Sequence, residues 1–464
     1  MPVEPSSSTE FRYSITNNFS YLYQVYCSYI LLYRNTDGKP EFMPLELLER
    51  GLKILVRKYY QPVAGWYQVR DNEIDVVYYS DKFNDPPVSM QMLDMDMEEL
   101  SRQIYESNTD LLVPKAPSGV ITPENPDIPM FLAKATYLES NDAVVLGVTY
   151  HHSLMDGSAF WMFMNNWASV CNQLCEQTDR TEFDLPFPPS FEFPDTSHLL
   201  NPNKTFAHPE YALVDANQCF KEFQSTGDKI VESKLVISVD QQLQLRQQAK
   251  EFGVSFTEII CAILWKGAND LRLQIRPDIG PEPSLYTCAT NSRARLGVSS
   301  TLCSSPVINT SCQKTAAEIA DLSLCEVAHL VHSAIDKCSG EYLASSIQFL
   351  LQQRKKELAD EKLGCVDQKA IMLVYVCPMP LKCTVSSSRN FPIYKTDFGF
   401  GAPEYVRPPF LPFEGCMRIW PTPQYICGSS NAPLEVYVSQ PDYIDLSHSP
   451  LLRNFSPTKL TVIQ

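Results

Sequence analysis

The stretch that decides the fold reads VVLGVTYHHSLMDGSAFWMF, from Val144 to Phe163. Its first part belongs to a valine-rich run, Ala143 to Tyr150, which has the composition and length of a β-strand. Beyond Gly157, apolar side chains recur at the spacing of a helix. These side chains are Phe160, Phe163, Met164, Trp167, Cys171 and Leu174. The adjacent histidines, His151 and His152, therefore lie at a turn between a strand and a helix.

The histidine pair has a chemical and a structural interpretation. Neighbouring side chains on a strand point to opposite faces, so His151 and His152 cannot both face one cavity unless the turn intervenes. Asp156 follows four residues after His152, near enough to orient it, and Gly157 permits a close bend. A neutral imidazole with a pKa of about 6.5 can take a proton from a hydroxyl or amine that attacks a carbonyl. A His-x-x-x-acid match is expected about once by chance, so a satisfied core histidine is the alternative.

Several other kinds of site are disfavoured by the sequence. No Gly-x-Ser-x-Gly elbow occurs, so the histidine need not serve a nucleophilic serine. His152 and Asp156 alone are too few ligands for a metal, and we expect none. Asp397-Phe398-Gly399 invites a kinase interpretation, but no histidine is followed by Arg-Asp and no glycine-rich loop precedes a strand lysine. The 15 cysteines include no Cys-x-x-Cys pair, which predicts reduced thiols rather than a disulfide framework or a zinc site.

Composition limits the partners and the compartment. The 464 residues carry a net charge of -16, and the longest basic run is Arg354-Lys-Lys356, so nucleic acid is not an expected partner. The apolar segment from Phe19 to Tyr33 is too short and too polar to span a bilayer, and it predicts a buried strand. The N-terminus lacks the pattern of a signal peptide. We expect a cytoplasmic protein without a membrane span.

The chain is long enough for two hydrophobic cores, and a proline-rich segment suggests where they divide. Six prolines and no glycine fall between Leu185 and Pro209, a composition that favours an ordered, extended connector. We therefore predict an N-terminal domain over residues 1–184, a crossover over 185–228 and a C-terminal domain over 229–464. Helical and strand patterns mix in both halves, which is typical of α/β or α+β layers.

Individual elements can be predicted from periodicity and capping signals. Leu45 to Tyr60 repeats apolar residues at helical spacing, and Ser255-Phe-Thr-Glu258 is a capping box that opens a helix towards Leu273. Further helices are expected over 241–252, 316–338 and through Arg354 to Glu357. Strands are expected over 63–67, 234–238, 285–289, 371–377, 415–420 and 434–438.

A second motif lies near the end of the chain, at Asp397-Phe-Gly-Phe-Gly401. Together with His152-Ser-Leu-Met-Asp156-Gly157 it resembles the BAHD family of CoA-dependent acyltransferases, which pairs His-x-x-x-Asp-Gly with Asp-Phe-Gly-Trp-Gly. Three further segments resemble the family in the same order: Tyr59 to Gly65, Ser255 to Ile259 and Asn291 to Leu296. The resemblance covers nearly the whole chain, and within the family it is closer to fungal O-acetyltransferases such as those acting on trichothecenes.

The resemblance implies an α/β fold with two chloramphenicol-acetyltransferase-like domains, joined by a long crossover, and a channel between them. His152 would stand in the channel as general base, with acyl-CoA entering from one side and a small-molecule alcohol or amine from the other. The acyl group, with acetyl favoured, would pass directly to the acceptor without an acyl-enzyme. No bound cofactor is expected, because acyl-CoA is a co-substrate, and the family resemblance suggests a monomer.

The resemblance also assigns supporting roles. Asp156 would fix its loop through an arginine, with Arg293 and Arg295 as candidates, and Asp397 would hold a second loop. The glycines Gly157, Gly399 and Gly401 would support these two loops. The CoA or acceptor channel would be lined by Ser255, Ser388, Arg389, Asn390 and Phe400.

The sequence departs from the family pattern at three of these positions. Phe400 replaces the usual tryptophan and cannot donate the indole hydrogen bond. Ser388 and Asn390 stand where plant hydroxycinnamoyl-shikimate enzymes have tryptophan and arginine. The missing arginine counts against a shikimate-type acceptor.

Two alternatives remain beside CoA-dependent transfer. A condensation-type amide synthase shares the histidine motif but would take its thioester from a carrier protein, and no carrier domain fits in this chain. A family relative that binds acyl-CoA without turnover would also retain His152 and Asp156. Dihydrolipoyl transacetylases are disfavoured because no lipoyl segment is present.

Overall fold

The structure is a computed structural model. It describes residues 9–15, 25–70, 73–106, 110–117, 121, 127–193, 195–215, 229–359, 369–373, 381–407, 414–425 and 428–460. No helix within these ranges is long and apolar enough to cross a membrane. The eleven described cysteines are all free thiols.

Strands and helices alternate along the chain. The strands are β1 (Glu10–Ser14), β2 (Tyr26–Arg34), β3 (Trp66–Arg70), β4 (Glu73–Tyr79), β5 (Val88–Leu93), β6 (Phe131–Leu138), β7 (Ala143–His151), β8 (Tyr211–Asp215), β9 (Ile230–Ile237), β10 (Pro283–Asn291), β11 (Val307–Thr315), β12 (Lys369–Leu373), β13 (Leu381–Ser387), β14 (Tyr405–Arg407), β15 (Cys416–Pro421), β16 (Leu434–Pro441) and β17 (Thr458–Leu460). The helices are α1 (Leu45–Lys58), α2 (Met97–Glu106), α3 (Gly157–Glu176), α4 (Val239–Phe252), α5 (Phe256–Ile275), α6 (Arg293–Leu296), α7 (Ala316–Asp321), α8 (Leu324–Asp336) and α9 (Gly340–Ala359).

The N-terminal half is built on a five-stranded sheet with the order β14-β2-β7-β6-β5. All nine residues of β7 are buried, which explains why this strand is a continuous apolar run rather than an alternating one. Helices α1 and α3 pack against each other and contribute buried side chains to the same core, among them Trp161 and Trp167. His151 pairs with Tyr26 at the end of the β2–β7 ladder, so His152 is the first residue beyond the sheet.

The C-terminal half is built on a seven-stranded sheet with the order β11-β10-β13-β15-β16-β9-β17. Its core is formed by α5, whose buried face includes Trp265, and by the inward residues of the strands. The capping box predicted at Ser255 is present, since its hydroxyl accepts from the Glu258 amide while the Glu258 carboxylate accepts from the Ser255 amide. Helix α5 therefore begins where the sequence indicates.

One strand from the C-terminal half of the chain belongs to the N-terminal sheet. Strand β14 follows the Asp397 loop in sequence, yet it pairs with β2 in the N-terminal sheet. Arg407 of β14 and Arg418 of β15 both contact the buried carboxylate of Glu232 on β9, so an ionic cluster joins the end of β14 to the C-terminal sheet. The predicted C-terminal unit, 229–464, thus includes a segment that belongs to the N-terminal sheet.

The predicted crossover over residues 185–228 is held in place along its described part. The side-chain amide of Asn166 donates to the Phe187 carbonyl at 2.6 Å and accepts from the Phe187 amide at 3.0 Å. Further along, the imidazole Nε2 of His208 lies 3.0 Å from the hydroxyl of Ser345 on α9. The crossover also contains β8, which pairs with β12 and was not expected from the sequence.

Most predicted elements are confirmed, with differences at their ends. The helix expected at 45–60 ends at Lys58. Helix α4 begins at Val239 rather than at 241 and ends at Phe252, as predicted, where the C-cap Gly253 takes the left-handed conformation with φ 69°. The helix expected over 316–338 is two helices, because Ser323 caps α8 through a capping box with Glu326. Residues 61–64 form a 3₁₀ turn, so the strand expected at 63–67 begins at Trp66. Residues 19–24 and 374–377 of two predicted strands lie outside the described residues.

Candidate active site

The two histidines of the turn have different surroundings. His151 is fully buried, with its Nδ1 atom 2.6 Å from the hydroxyl of Ser153 and its ring 5.1 Å from the rings of Tyr26 and Tyr67. His152 is only partly buried, and its amide donates to the Val25 carbonyl at 2.8 Å. His151 is therefore part of the N-terminal core, while His152 is the member of the pair that solvent or a ligand can reach.

His152 is held by a residue of the C-terminal half. The Oγ atom of Ser305 lies 3.1 Å from His152 Nδ1 and donates to the His152 carbonyl at 2.7 Å. Burial lowers the pKa of His152 below its ordinary value, and its own peptide oxygen and the nearby Asp156 carboxylate oppose this shift. The imidazole is thus kept in its neutral form, in which it can accept a proton.

Asp156 joins the histidine turn to two other elements. Its Oδ1 atom accepts from the Ala159 amide at 2.9 Å and so caps the N-terminus of α3. Both carboxylate oxygens also accept from the Arg293 guanidinium, at 2.6 and 3.0 Å, and both side chains are buried. Since this carboxylate is engaged by Arg293 and the helix, its role is to hold the turn.

Arg293 also fixes the segment that carries Ser305. Its guanidinium donates to the carbonyls of Leu302 and Ser304, and the Ser304 carbonyl also accepts from the Asp156 amide at 3.1 Å. One arginine therefore holds the histidine turn of the N-terminal half against residues 302–305 of the C-terminal half.

Arg295, the other arginine considered for Asp156, lies elsewhere. Its carbonyl is so close to Gly340 that a β-carbon at Gly340 would approach it to 2.5 Å. Its Nη1 atom is buried without a hydrogen-bond partner among the described residues. Arg295 thus lies beside the N-terminus of α9, and the partner of Asp156 is Arg293.

Gly157 is required by the close approach of an aromatic ring. A β-carbon at this position would lie 2.9 Å from the ring of Phe391, which reaches the histidine turn from the segment after β13. Gly157, which was inferred from the sequence to permit a close bend, therefore also leaves room for the Phe391 ring. The Phe391 ring is partly buried and forms one wall beside the turn.

The second motif forms a loop organised around one carboxylate oxygen. Asp397 Oδ1 accepts from the amides of Gly399, Phe400 and Gly401 at 2.8, 3.1 and 2.9 Å. The two glycines have φ angles of 98° and 99°, which side-chain-bearing residues rarely adopt. Asp397 is therefore placed as a structural residue of its loop.

This loop lies at the opposite end of α3 from the histidine turn. A β-carbon at Gly399 would be 3.0 Å from the Sγ atom of Cys175, the penultimate residue of α3, whereas Asp156 caps its first turn. Nineteen residues at 1.5 Å per residue put these ends about 28 Å apart. Phe400 packs its ring 5.3 Å from that of Phe42. Phe400 is partly buried at this end of α3, away from the histidine turn, and its place in the channel stays a prediction.

We expect Asp397→Ala to destabilise the protein without removing any group at the histidine turn. Loss of a charged acceptor for three amides should lower the free energy of unfolding by about 1.5–3 kcal/mol. Asp397→Asn, which retains an acceptor oxygen, should have a smaller effect. Urea denaturation of both variants measures the difference. Equal stability of Asp397→Ala and the unaltered protein would contradict a structural role for Asp397.

The remaining predicted site residues surround the N-terminus of α5. The Arg389 guanidinium donates to the Thr257 hydroxyl at 3.0 Å and to the Tyr425 hydroxyl at 3.1 Å, and it lies over the Phe256 ring. Ser255, the N-cap of α5, precedes these contacts in sequence. Ser388 is buried with its amide bonded to the Ile419 carbonyl, and Asn390 is exposed in the turn that follows β13. Ser255 and Arg389 are thus brought together at one helix end.

Ser305 contacts His152 but was not predicted from the sequence. It lies 153 residues from His152 in the chain, and it belongs to no motif. The described residues contain no group of three or more His, Cys, Asp or Glu that could hold a metal ion.

Known proteins resemble this chain over most of its length. The chain is 25% identical to shikimate O-hydroxycinnamoyltransferase of Nicotiana tabacum over 60% of this chain and 61% of that enzyme. It is 25% identical to rosmarinate synthase of Plectranthus scutellarioides over 84% of each chain. Among solved structures, F. graminearum TRI101 complexed with ethyl coenzyme A superposes with a TM-score of 0.72 at 18% identity, covering 98% of this chain and 100% of that one.

The structural match confirms the expected α/β architecture of two chloramphenicol-acetyltransferase-like halves. The model of the Transferase family matches residues 1–441. The chain therefore belongs to the Transferase family, the BAHD family of acyl-CoA-dependent acyltransferases.

Proposed function

We propose that this protein transfers an acyl group from acyl-CoA to a hydroxyl or amine of a small molecule, with His152 as the general base. The observation that carries the proposal is the geometry of His152, which is partly exposed, depressed in pKa by burial and held by both halves of the molecule. Acetyl is the favoured acyl group because the fold is similar to that of TRI101, which was solved with ethyl coenzyme A. The curated relatives make hydroxycinnamoyl the principal alternative.

The proposed reaction is direct transfer in which the acyl group never resides on the enzyme. The neutral imidazole of His152 takes the proton of the acceptor hydroxyl or amine as its oxygen or nitrogen attacks the thioester carbonyl. The tetrahedral intermediate then collapses with cleavage of the carbon–sulfur bond. The CoA thiolate leaves and receives the proton back from His152, which regenerates the neutral base.

A site for the CoA phosphates is proposed at the N-terminus of α5. Arg389 supplies a positive charge there, with its guanidinium over the Phe256 ring. A second guanidinium, that of Arg246, lies 4.2 Å from the centre of the same ring. The N-terminus of a 20-residue helix carries partial positive charge and favours anions. Ser255 and the neighbouring Ser388 and Asn390 complete the proposed channel wall.

For the acceptor we propose an uncharged, largely apolar molecule. Tyr29 is partly exposed, and its ring stacks on Phe160 at 5.0 Å and on Trp420 at 5.8 Å. Phe391 provides a second aromatic wall at Gly157. The charged pair that holds the histidine turn, Asp156 with Arg293, is neutralised internally. We further propose that the protein acts as a monomer in the cytoplasm.

The proposal is tested by incubating the purified protein with radiolabelled acetyl-CoA and a small-molecule extract of the source organism. Hydroxycinnamoyl-CoA and malonyl-CoA serve as comparison donors, and His152→Ala is assayed in parallel. Labelled product that requires His152 supports the proposal, and its mass identifies the acceptor. CoA binding without product from any donor would instead support the non-catalytic alternative, and product only from a carrier-bound thioester would support the condensation-type alternative.

The pH dependence of the reaction follows from the depressed pKa of His152. Burial disfavours the imidazolium and lowers the pKa of His152. At pH 6.5 an exposed histidine, with an ordinary pKa of about 6.5, is half protonated, whereas His152 is still mostly neutral. We expect kcat/KM to be constant near pH 7 and to fall only as the pH drops through the lowered value. A pH–rate profile measures this, and an acid limb centred above pH 6.5 would contradict it.

A further inference from the structure

We propose that Ser305 determines which ring nitrogen of His152 carries the proton, so that Nε2 is the atom that acts as base. The catalytic consequence rests on the proposed acyltransferase function, whereas the position of the proton does not. Ser305 is thus a positioning residue contributed by the C-terminal half to a base that lies on the N-terminal half.

The hydroxyl group of Ser305 has a single proton to donate. Ser305 Oγ lies 2.7 Å from the carbonyl oxygen of His152, and a carbonyl can only accept, so the hydroxyl proton points towards it. The same Oγ lies 3.1 Å from His152 Nδ1. Because its proton is already used, Oγ can only accept in this second contact, and Nδ1 must therefore be the protonated nitrogen. In a neutral ring the other nitrogen, Nε2, then bears the lone pair.

The opposite tautomer, with the proton of His152 on Nε2, is less favourable because of the two distances from Ser305 Oγ. If the Ser305 proton pointed at Nδ1, it would form the longer of the two contacts and leave the shorter one, to the His152 carbonyl, without a hydrogen. Ser305 is fully buried, so water cannot supply that hydrogen to the carbonyl from its side. A buried acceptor that loses its donor costs free energy, which favours the arrangement in which the carbonyl keeps the Ser305 proton.

The backbone around Ser305 keeps its hydroxyl in position. Its own carbonyl accepts from the Val307 amide at 2.8 Å, and the preceding carbonyl, that of Ser304, accepts from Arg293 at 3.0 Å. Arg293 in turn binds Asp156 at the other end of the histidine turn. Arg293 therefore holds both the segment that carries Ser305 and the turn that carries His152. The distance between the Ser305 hydroxyl and the His152 ring thus depends on how the two halves pack.

The position of the proton can be measured by nitrogen NMR on protein labelled with ¹⁵N-histidine, using long-range proton–nitrogen correlation. The His152 signals are assigned by their loss in His152→Gln. We expect a protonated-type shift for Nδ1 and an unprotonated-type shift for Nε2, in the unaltered protein and in Ser305→Thr, which keeps the hydroxyl. In Ser305→Ala both nitrogens should move towards intermediate shifts, because only the hydrogen bond of the ring to its own peptide oxygen then holds the proton.

Kinetics supply a second readout. Ser305→Ala should lower kcat by about tenfold, the effect of losing one hydrogen bond, while the KM for acyl-CoA stays unchanged and Ser305→Thr restores kcat. A proton found on Nε2 in the unaltered protein, or identical His152 shifts in the unaltered protein and Ser305→Ala, would overturn the proposal. The NMR result requires no turnover, so absence of acyltransferase activity would count against the proposed function and not against this assignment. Should Ser305→Ala fail to fold, a proton found on Nε2 in the spectrum of the unaltered protein would still overturn the proposal.

Discussion

Replacing His152 with alanine is expected to lower kcat by about 10²–10⁴-fold, the usual contribution of a positioned general base. The structure leaves this side chain partly exposed at the end of β7, while its neighbour His151 is buried in the core. Removing the imidazole should therefore change the chemistry far more than the fold. Steady-state kinetics with acyl-CoA and the acceptor measure the loss, and thermal unfolding checks that the variant is folded.

His198→Ala is the matched control for this experiment. His198 is an exposed histidine of the crossover, hydrogen-bonded through Nδ1 to the Asp195 carbonyl, and it has no described contact with the histidine turn. Its loss should leave kcat unchanged. If His152→Ala retained the activity of His198→Ala, the general base would have to be another group.

Arg293→Ala is expected to lower the free energy of unfolding by about 3–5 kcal/mol, the cost of removing one partner of a buried ion pair. Asp156 is 1% exposed and Arg293 is 3% exposed, so water cannot replace the lost guanidinium. Three carbonyl or carboxylate groups, on Asp156, Leu302 and Ser304, would lose donors at once. The activity should fall with the stability, because the same arginine positions the segment that carries Ser305.

Arg276→Ala controls for the removal of an arginine that pairs with an aspartate. Arg276 contacts Asp278 on the surface, where both side chains are more than half exposed, and its loss should not measurably change the urea midpoint. The double variant Asp156→Asn with Arg293→Met should recover part of the stability lost in Arg293→Ala, since no uncompensated buried charge remains. Equal urea midpoints for Arg293→Ala and Arg276→Ala would show that the buried pair does not support the fold.

Elements with strong periodicity and local caps could be predicted from the sequence. Helix α1, strand β7, helix α3 and the start of α5 all follow from patterns within about 20 residues. The division between α7 and α8 was also readable, because Ser323-Leu-Cys-Glu326 is a capping box, but the apolar periodicity of the surrounding 316–338 segment concealed it. The 3₁₀ turn at 61–64 was concealed in the same way by apolar residues typical of a strand.

Contacts between distant parts of the chain could not be predicted from local patterns. The family resemblance implied that Asp156 has an arginine partner, but the choice between Arg293 and Arg295 depends on which side of α6 faces the histidine turn. The family motif at 397–401 gave no information on its distance from His152, which is set by the length of α3. Ser305 lies in a polar segment, SSTLCSSP, whose composition gives no indication that one hydroxyl reaches a histidine 153 residues away.

The position of β14 has a consequence for how the polypeptide matures during synthesis. A ribosome completes β2 and β7 early, yet the strand that covers the outer edge of β2 emerges only after residue 405. Until then the nascent chain presents an unpaired edge containing Ile30, Leu31 and Leu32, the kind of surface that recruits other strands. Domain-by-domain folding from the N-terminus is therefore disfavoured for this chain. The five-stranded sheet of the first half is complete only when β14 of the second half joins it.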